Sequence, residues 1–218
     1  MVSRSLDRPA VSVSVAAAGE GAAIAALGIL ALAGVASARS VIRPLAYAVD
    51  RYGGRIPLEC GEGLCQTACA DGETIGMVYT TPAVRWLESY PEDERSSLVR
   101  ELAEVELLAV SGPRRGTGVG AMLLEHAEAR VRAVGARFVV AKIRAGHFET
   151  MRWYRNRGYR IAAQGEPLLF TTTRGRPSSI GDGDDGYHLA VKPLRAGTML
   201  QRRTSPCGSS CLVFATRS

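Results

Sequence analysis

Histidine and cysteine are scarce in the 218-residue chain, with three of the first and five of the second. The cysteines, Cys60, Cys65, Cys69, Cys207 and Cys211, are odd in number, and no His stands near them. That excludes the familiar zinc patterns, which interleave Cys and His at fixed spacings. No metal is expected, and the thiols read as those of a reducing cytoplasm, some packed in a strand. Repeats at solenoid periods are absent. So is a strongly apolar run of membrane-spanning length. Gly21 to Ala38 carries no charge, but it is mostly Ala and Gly. Ala36-Ser37-Ala38 imitates a signal cleavage site, with Arg4 and Arg8 ahead of it. Asp7 and Glu20 interrupt that pattern. Ile24, Leu27, Ala31 and Val35 also fall on one helical face. A cytoplasmic protein with a buried amphipathic helix here is the expectation; export with residues 1–38 removed is the alternative.

What is present is ordinary globular material, 46% hydrophobic and 22% charged. The length allows one large domain or two small ones. The net charge of +6 comes mainly from Arg, with Lys142 and Lys192 the only lysines. That balance suits an anionic cofactor or an acidic partner and says nothing of fold. No nucleic-acid or membrane partner is expected, and a second copy of the chain stays open as a partner.

Val11 to Val15 alternates apolar residues with Ser, a strand pattern. Helices are expected over about 20–36 and 40–52, the second with Pro44 near its first turn and Gly53-Gly54 at its end. Segments 64–70 and 73–80 flank Asp71-Gly72, a hairpin signal. Residues 82–93 read as a polar connector with a short helix. A strand over 101–110 follows, then a helix over 118–134. That helix carries one stripe of Val119, Met122, Leu123, His126, Ala127, Val131 and Val134, which makes His126 a core histidine. Phe138 to Ile143 is a nearly pure apolar run, as for a strand covered on both faces. A short helix over 147–156 comes next. The last two strands are expected over 168–173 and 187–191, with a mobile Gly/Ser/Pro/Asp-rich loop, 175–186, between them. Asp182, Asp184 and Asp185 in that loop lack the spacing of a calcium loop and read as a solvated turn. Beyond Leu194 no clear element is visible. The order is that of one mixed α/β domain.

The most telling stretch is Arg114-Arg115-Gly116-Thr117-Gly118-Val119-Gly120, between an apolar strand and an amphipathic helix. Strand, glycine-rich turn and helix aim backbone N–H groups at a phosphate. Glycine admits the anion where a side chain would block it. The turn alone points to a nucleotide-like or coenzyme ligand and leaves the chemistry open.

Arg115, Gly118 and Gly120, followed by Met122-Leu123-Leu124, match the glycine signature of the GNAT superfamily of N-acetyltransferases. Leu107 to Pro113 resembles that family's fourth strand and its exit. Trp153-Tyr154-Arg155-Asn156-Arg157-Gly158-Tyr159 resembles its second signature, an aromatic-Tyr pair ahead of a Gly-aromatic. The resemblance is concentrated in residues 101–160 and extends by element order over 11–194. It implies a GNAT-like mixed α/β domain over 1–194, with a mostly antiparallel central sheet, a splayed parallel pair and flanking helices. Residues 195–218 would be a basic, disordered tail. Some positions depart from the family. His147 and Thr150 stand where many members carry Asn and Ala. Lys142 stands where the ribosomal-protein N-terminal branch carries its Glu, so an orthodox member of that branch is not expected.

The resemblance implies acetyl-CoA as co-substrate and an amine as acceptor. The N–H groups of Arg115, Gly116, Thr117, Gly118, Val119 and Gly120 would cradle the pyrophosphate. Leu108, Ala109 and Val110 would pair with the pantetheine arm as an added strand does. Tyr154 would protonate the departing thiolate. Candidate bases are Glu104 and Glu106, two apart and therefore on one side of a strand, and His147, a side-chain type often used for proton transfer. His147 also replaces an Asn at the cofactor. The alternative is a non-catalytic acyl-CoA-binding or regulatory module on the same fold. The acceptor would be chosen by residues 20–52 and 174–186, which carry no distinctive pocket signature.

Overall fold

A computed structural model describes residues 10–181, 186–204 and 208–216. Asp182, Asp184, Asp185 and Cys207 lie outside these. Along the chain the elements are β1 (Ser12–Val15), α1 (Gly21–Ala31), α2 (Ala38–Tyr52), β2 (Arg55–Leu58), β3 (Gly61–Ala70), β4 (Glu73–Pro82), α3 (Val84–Leu87), α4 (Glu92–Leu98) and β5 (Leu102–Val110). Then come α5 (Val119–Ala133), β6 (Phe138–Arg144), α6 (Phe148–Arg155), β7 (Arg160–Ile161), β8 (Leu168–Thr171), β9 (Pro177–Ile180), β10 (Tyr187–Pro193), β11 (Thr198–Thr204) and β12 (Ser210–Thr216). The fold is mixed α/β, with a mostly antiparallel main sheet that contains one parallel pair, β5 with β6. Helices flank it. The described residues fall into two compact units interleaved along the chain.

The first unit takes residues 10–57, 63–79 and 107–127. Its sheet portion runs β1, β3, β4 and the second half of β5. β1 pairs antiparallel with β3, from Ser12 opposite Cys69 to Val15 opposite Gln66. The β3–β4 hairpin turns at Asp71 (φ 52°) and Gly72 (φ 78°), both left-handed, which is the turn that Asp-Gly favours. The two N-terminal helices approach closely. A Cβ on Gly28 would run into the Ile42 side chain, which would have to shift to admit it. α1 stops at Ala31, short of the expected end, and a left-handed Gly34 (φ 83°) lies in the turn to α2. α2 begins at Ala38, two residues before the expected start, so Pro44 sits inside it. The buried thiol of Cys65 is pushed up to about 12, first by burial and then by the charge of Glu20.

The second unit takes residues 58–62, 80–106 and 128–216. The first half of β5 runs parallel to β6, from Leu102 opposite Phe138 to Val105 opposite Ala141. β6 pairs antiparallel with β10, and β10 with β7. A separate four-stranded sheet follows the order β11, β12, β8, β9. β8 lies between β12 and β9. Two expectations change here. The loop expected over 175–186 contains β9, where Ser178 Oγ accepts Trp86 Nε1 at 2.9 Å and the Tyr90 hydroxyl at 2.6 Å. The chain beyond Leu194 is not structureless, since β11 and β12 pair from Thr198 to Thr216. Leu200 and Leu212 explain why: both are buried in a core with Trp86, Phe138, Leu168 and Phe170.

Candidate functional site

β5 ends at Val110, and the next residue is tied back when the Ser111 N–H donates to the Ile75 carbonyl at 2.9 Å. A single 3-10 turn, Gly112–Arg114, reverses the chain. Gly116 (φ 77°) and Gly118 (φ 96°) are both left-handed, and α5 starts directly afterwards. L side chains rarely take those dihedrals, so glycine is required twice. Nothing stands within 4 Å of where a Cβ would be at either position. Glycine is therefore called for by the dihedrals and not by a neighbour's close approach. The first-turn N–H groups of α5 lack intrahelical partners and carry the positive end of its dipole. The Thr117 hydroxyl donates to the Arg114 carbonyl at 2.7 Å, and Arg115 Nε donates to the Val110 carbonyl at 3.3 Å. Leu108, Ala109, Val110 and Arg115 to Gly120 therefore lie in one stretch of the first unit. Val119 is buried, so its side chain is core and its N–H is what it can offer.

Sequence reading missed the residue that seats this turn. A Cβ on Gly76 of β4 would lie 2.9 Å from Leu123 Cδ1, 3.1 Å from the Ala109 carbonyl oxygen and 3.3 Å from Val119 Cγ1. Its absence lets the start of α5 close on the strands. A glycine inside a strand pattern was the available signal. The stripe of α5 also differs from expectation. Val119, Leu123, Leu124, Ala127, Glu128 and Val131 are buried, whereas His126 and Val134 are exposed. His126 is not a core histidine, because the buried face is set one position round the helix.

Glu104, Glu106, His147 and Tyr154 all belong to the second unit. Glu104 is half-buried and Glu106 exposed, alternating with buried Ala103, Val105 and Leu107. The two carboxylates therefore share a face, as expected. Thr81 Oγ1 donates to Glu106 at 3.4 Å. His147 is exposed at the start of α6 and makes no side-chain cap. Tyr154 is buried, its ring edge-on to those of Trp153 and Tyr159, with centroids 4.9 Å away in each case. Its phenol is held well above the usual tyrosine range, first by burial and then by the charge of Glu128, with Arg157 opposing. Among the described residues, no three or more His, Cys, Asp or Glu side chains are grouped to hold a metal ion. Nor is any described helix long and apolar enough to cross a membrane.

Residues 42–159 match the model of the acetyltransferase (GNAT) family. No curated protein sequence matches the chain. Solved structures with a similar fold include the PaiA N-acetyltransferase of Thermoplasma acidophilum in complex with coenzyme A. It has a TM-score of 0.57 at 14% identity, covering 84% of this chain and 99% of that one. An N-acetyltransferase from Staphylococcus aureus Mu50 aligns with a TM-score of 0.57 at 14% identity, over 85% of this chain and 99% of that one. The ribosomal-protein-S18-alanine N-acetyltransferase of Escherichia coli aligns with a TM-score of 0.52 at 16% identity, over 85% and 94%. At such identities the likeness is one of fold.

Proposed function

The chain belongs to the GNAT acetyltransferase family, and on that premise we propose that it transfers acetyl from acetyl-CoA to a primary amine. The observation that carries the reading is the left-handed turn at Gly116 and Gly118, with α5 directly behind it. The free N–H groups at the start of α5 would take the pyrophosphate of CoA. Val110 and its neighbours hold the pantetheine arm. The amine nitrogen attacks the thioester carbon directly in a ternary complex. The C–N bond forms, the C–S bond breaks, and Tyr154 gives its proton to sulfur. Glu104, Glu106 or His147 takes the proton that the amine sheds, directly or through water.

Calorimetry with CoA and acetyl-CoA tests the first half of this reading; a protein that binds neither defeats it. Thiol release measured over a panel of amines tests the second. Binding without release under every amine would leave a non-catalytic acyl-CoA-binding module. Gly118→Val supplies the specific control. A left-handed β-branched residue costs about 1–3 kcal/mol, which would push the turn out of the conformation that aims its N–H groups. CoA affinity is expected to fall about 30-fold or more, with the circular dichroism spectrum retained. Undiminished affinity would remove the phosphate from this turn.

A further inference from the structure

The second unit holds a buried carboxylate that the chemistry above does not use. Glu128, on α5, is 5% exposed. Its Oε1 accepts the Tyr159 hydroxyl at 3.0 Å, and its Oε2 accepts Lys192 Nζ at 2.6 Å. Lys192 Nζ also stands 5.5 Å from the centre of the Tyr159 ring. That ring meets Tyr154 edge-on, at 4.9 Å and 78°. On the other side of Tyr154 lies Trp153, itself covered by the Arg157 guanidinium at 3.8 Å. A buried ion pair adds little net stability over an apolar one, so stability is a weak reason for its presence.

We propose that Glu128 is a positioning residue for acetyl transfer: it anchors Tyr159, whose ring wedges Tyr154 in place. The inference rests on the reading of Tyr154 as proton donor. The charged groups around the two rings are Glu128 from α5, Lys192 from β10 and Arg157 after α6. Glu128 disfavours a phenolate, while Lys192 and Arg157 favour one. Burial is the largest cause holding both phenols up, and Glu128 comes next for each. During transfer the phenol proton goes to sulfur, and the proton shed by the amine balances it and restores the phenol. A phenolate near Glu128 is unfavourable, so it regains a proton rather than persisting.

The test uses the full chain, with the pH profile of kcat/KM and the ultraviolet absorbance of tyrosinate read together. In Glu128→Gln, both the alkaline limb and the tyrosinate step should move down by about one pH unit or more. Because Glu128 also holds up the Tyr159 phenol, adding Tyr159→Phe to that variant should leave one displaced step, and adding Tyr154→Phe as well should remove it. A folded Glu128→Gln protein with both curves unmoved overturns the inference. Should that variant not fold, Lys192→Met decides: an upward shift supports the inference, and a downward or absent shift overturns it. Turnover that survives Tyr154→Phe alone would instead remove the donor reading, whatever Glu128 does.

Discussion

Replacing Tyr154 by Phe is expected to lower kcat by about 100-fold to 10,000-fold, the range for losing a positioned proton donor. Affinity for CoA, measured by calorimetry, should change by no more than a few-fold. The two quantities separate because the ring and the hydroxyl do different work. The ring is 6% exposed and wedged edge-on between Trp153 and Tyr159. Phe has the same shape and keeps those contacts, so α6 should hold its place. What is lost is the proton, and with it a neutral route for the departing thiolate. A phenol held above its usual range by burial and by Glu128 stays protonated across the neutral region. Turnover should therefore show no alkaline limb from this group near neutrality in the wild type. Equal losses in kcat and affinity would instead mark Tyr154 as a structural prop for the cofactor site.

The elements that sequence could deliver are those punctuated by backbone necessity. Asp71-Gly72 names its hairpin because both residues must be left-handed. Gly116 and Gly118 name the cradle for the same reason, and Phe138 to Ile143 reads as a strand because it is apolar on both faces. What escaped depended on partners distant in the chain. Arg202 looks like part of a basic tail, yet it is held by Glu166, 36 residues earlier. Only with that pairing do Leu200 and Arg202, two apart, read as one face of β11. Glu128 looks like a surface acid on α5, and Tyr159 and Lys192 make it a buried one. Apolar periodicity cannot register an inward charge, so both network carboxylates were invisible to it. The same blindness moved the stripe of α5 toward His126 and away from Leu124 and Glu128.

Glu166→Gln is expected to destabilise the protein by about 2–3 kcal/mol at neutral pH and to flatten its acid unfolding. Glu166 is buried. Burial alone would raise its carboxyl, but the opposing contacts win. Arg202 donates to its Oε1 and Oε2 at 2.7 and 2.8 Å, Ser210 Oγ donates to Oε1, and the Ala163 N–H donates to Oε2. Together they lower the carboxyl from 4.5 to about 2. A carboxyl lowered by folding stabilises the native state fully above its unfolded value. That contribution is lost as pH falls from about 4.5 toward 2. One pKa unit corresponds to about 1.4 kcal/mol, and Arg202 is half-exposed, which screens part of the gain. The amide cannot ionise, so the variant should lose less stability than the wild type across that window. Urea denaturation at pH 7, 4 and 3 reads the difference. The wild-type and variant curves should converge toward low pH as the wild-type carboxyl takes up its proton. Curves that run parallel would show that Glu166 gains nothing from β11 and β12, and the arginine-bearing strand would then be held by Leu200 and Leu212 alone.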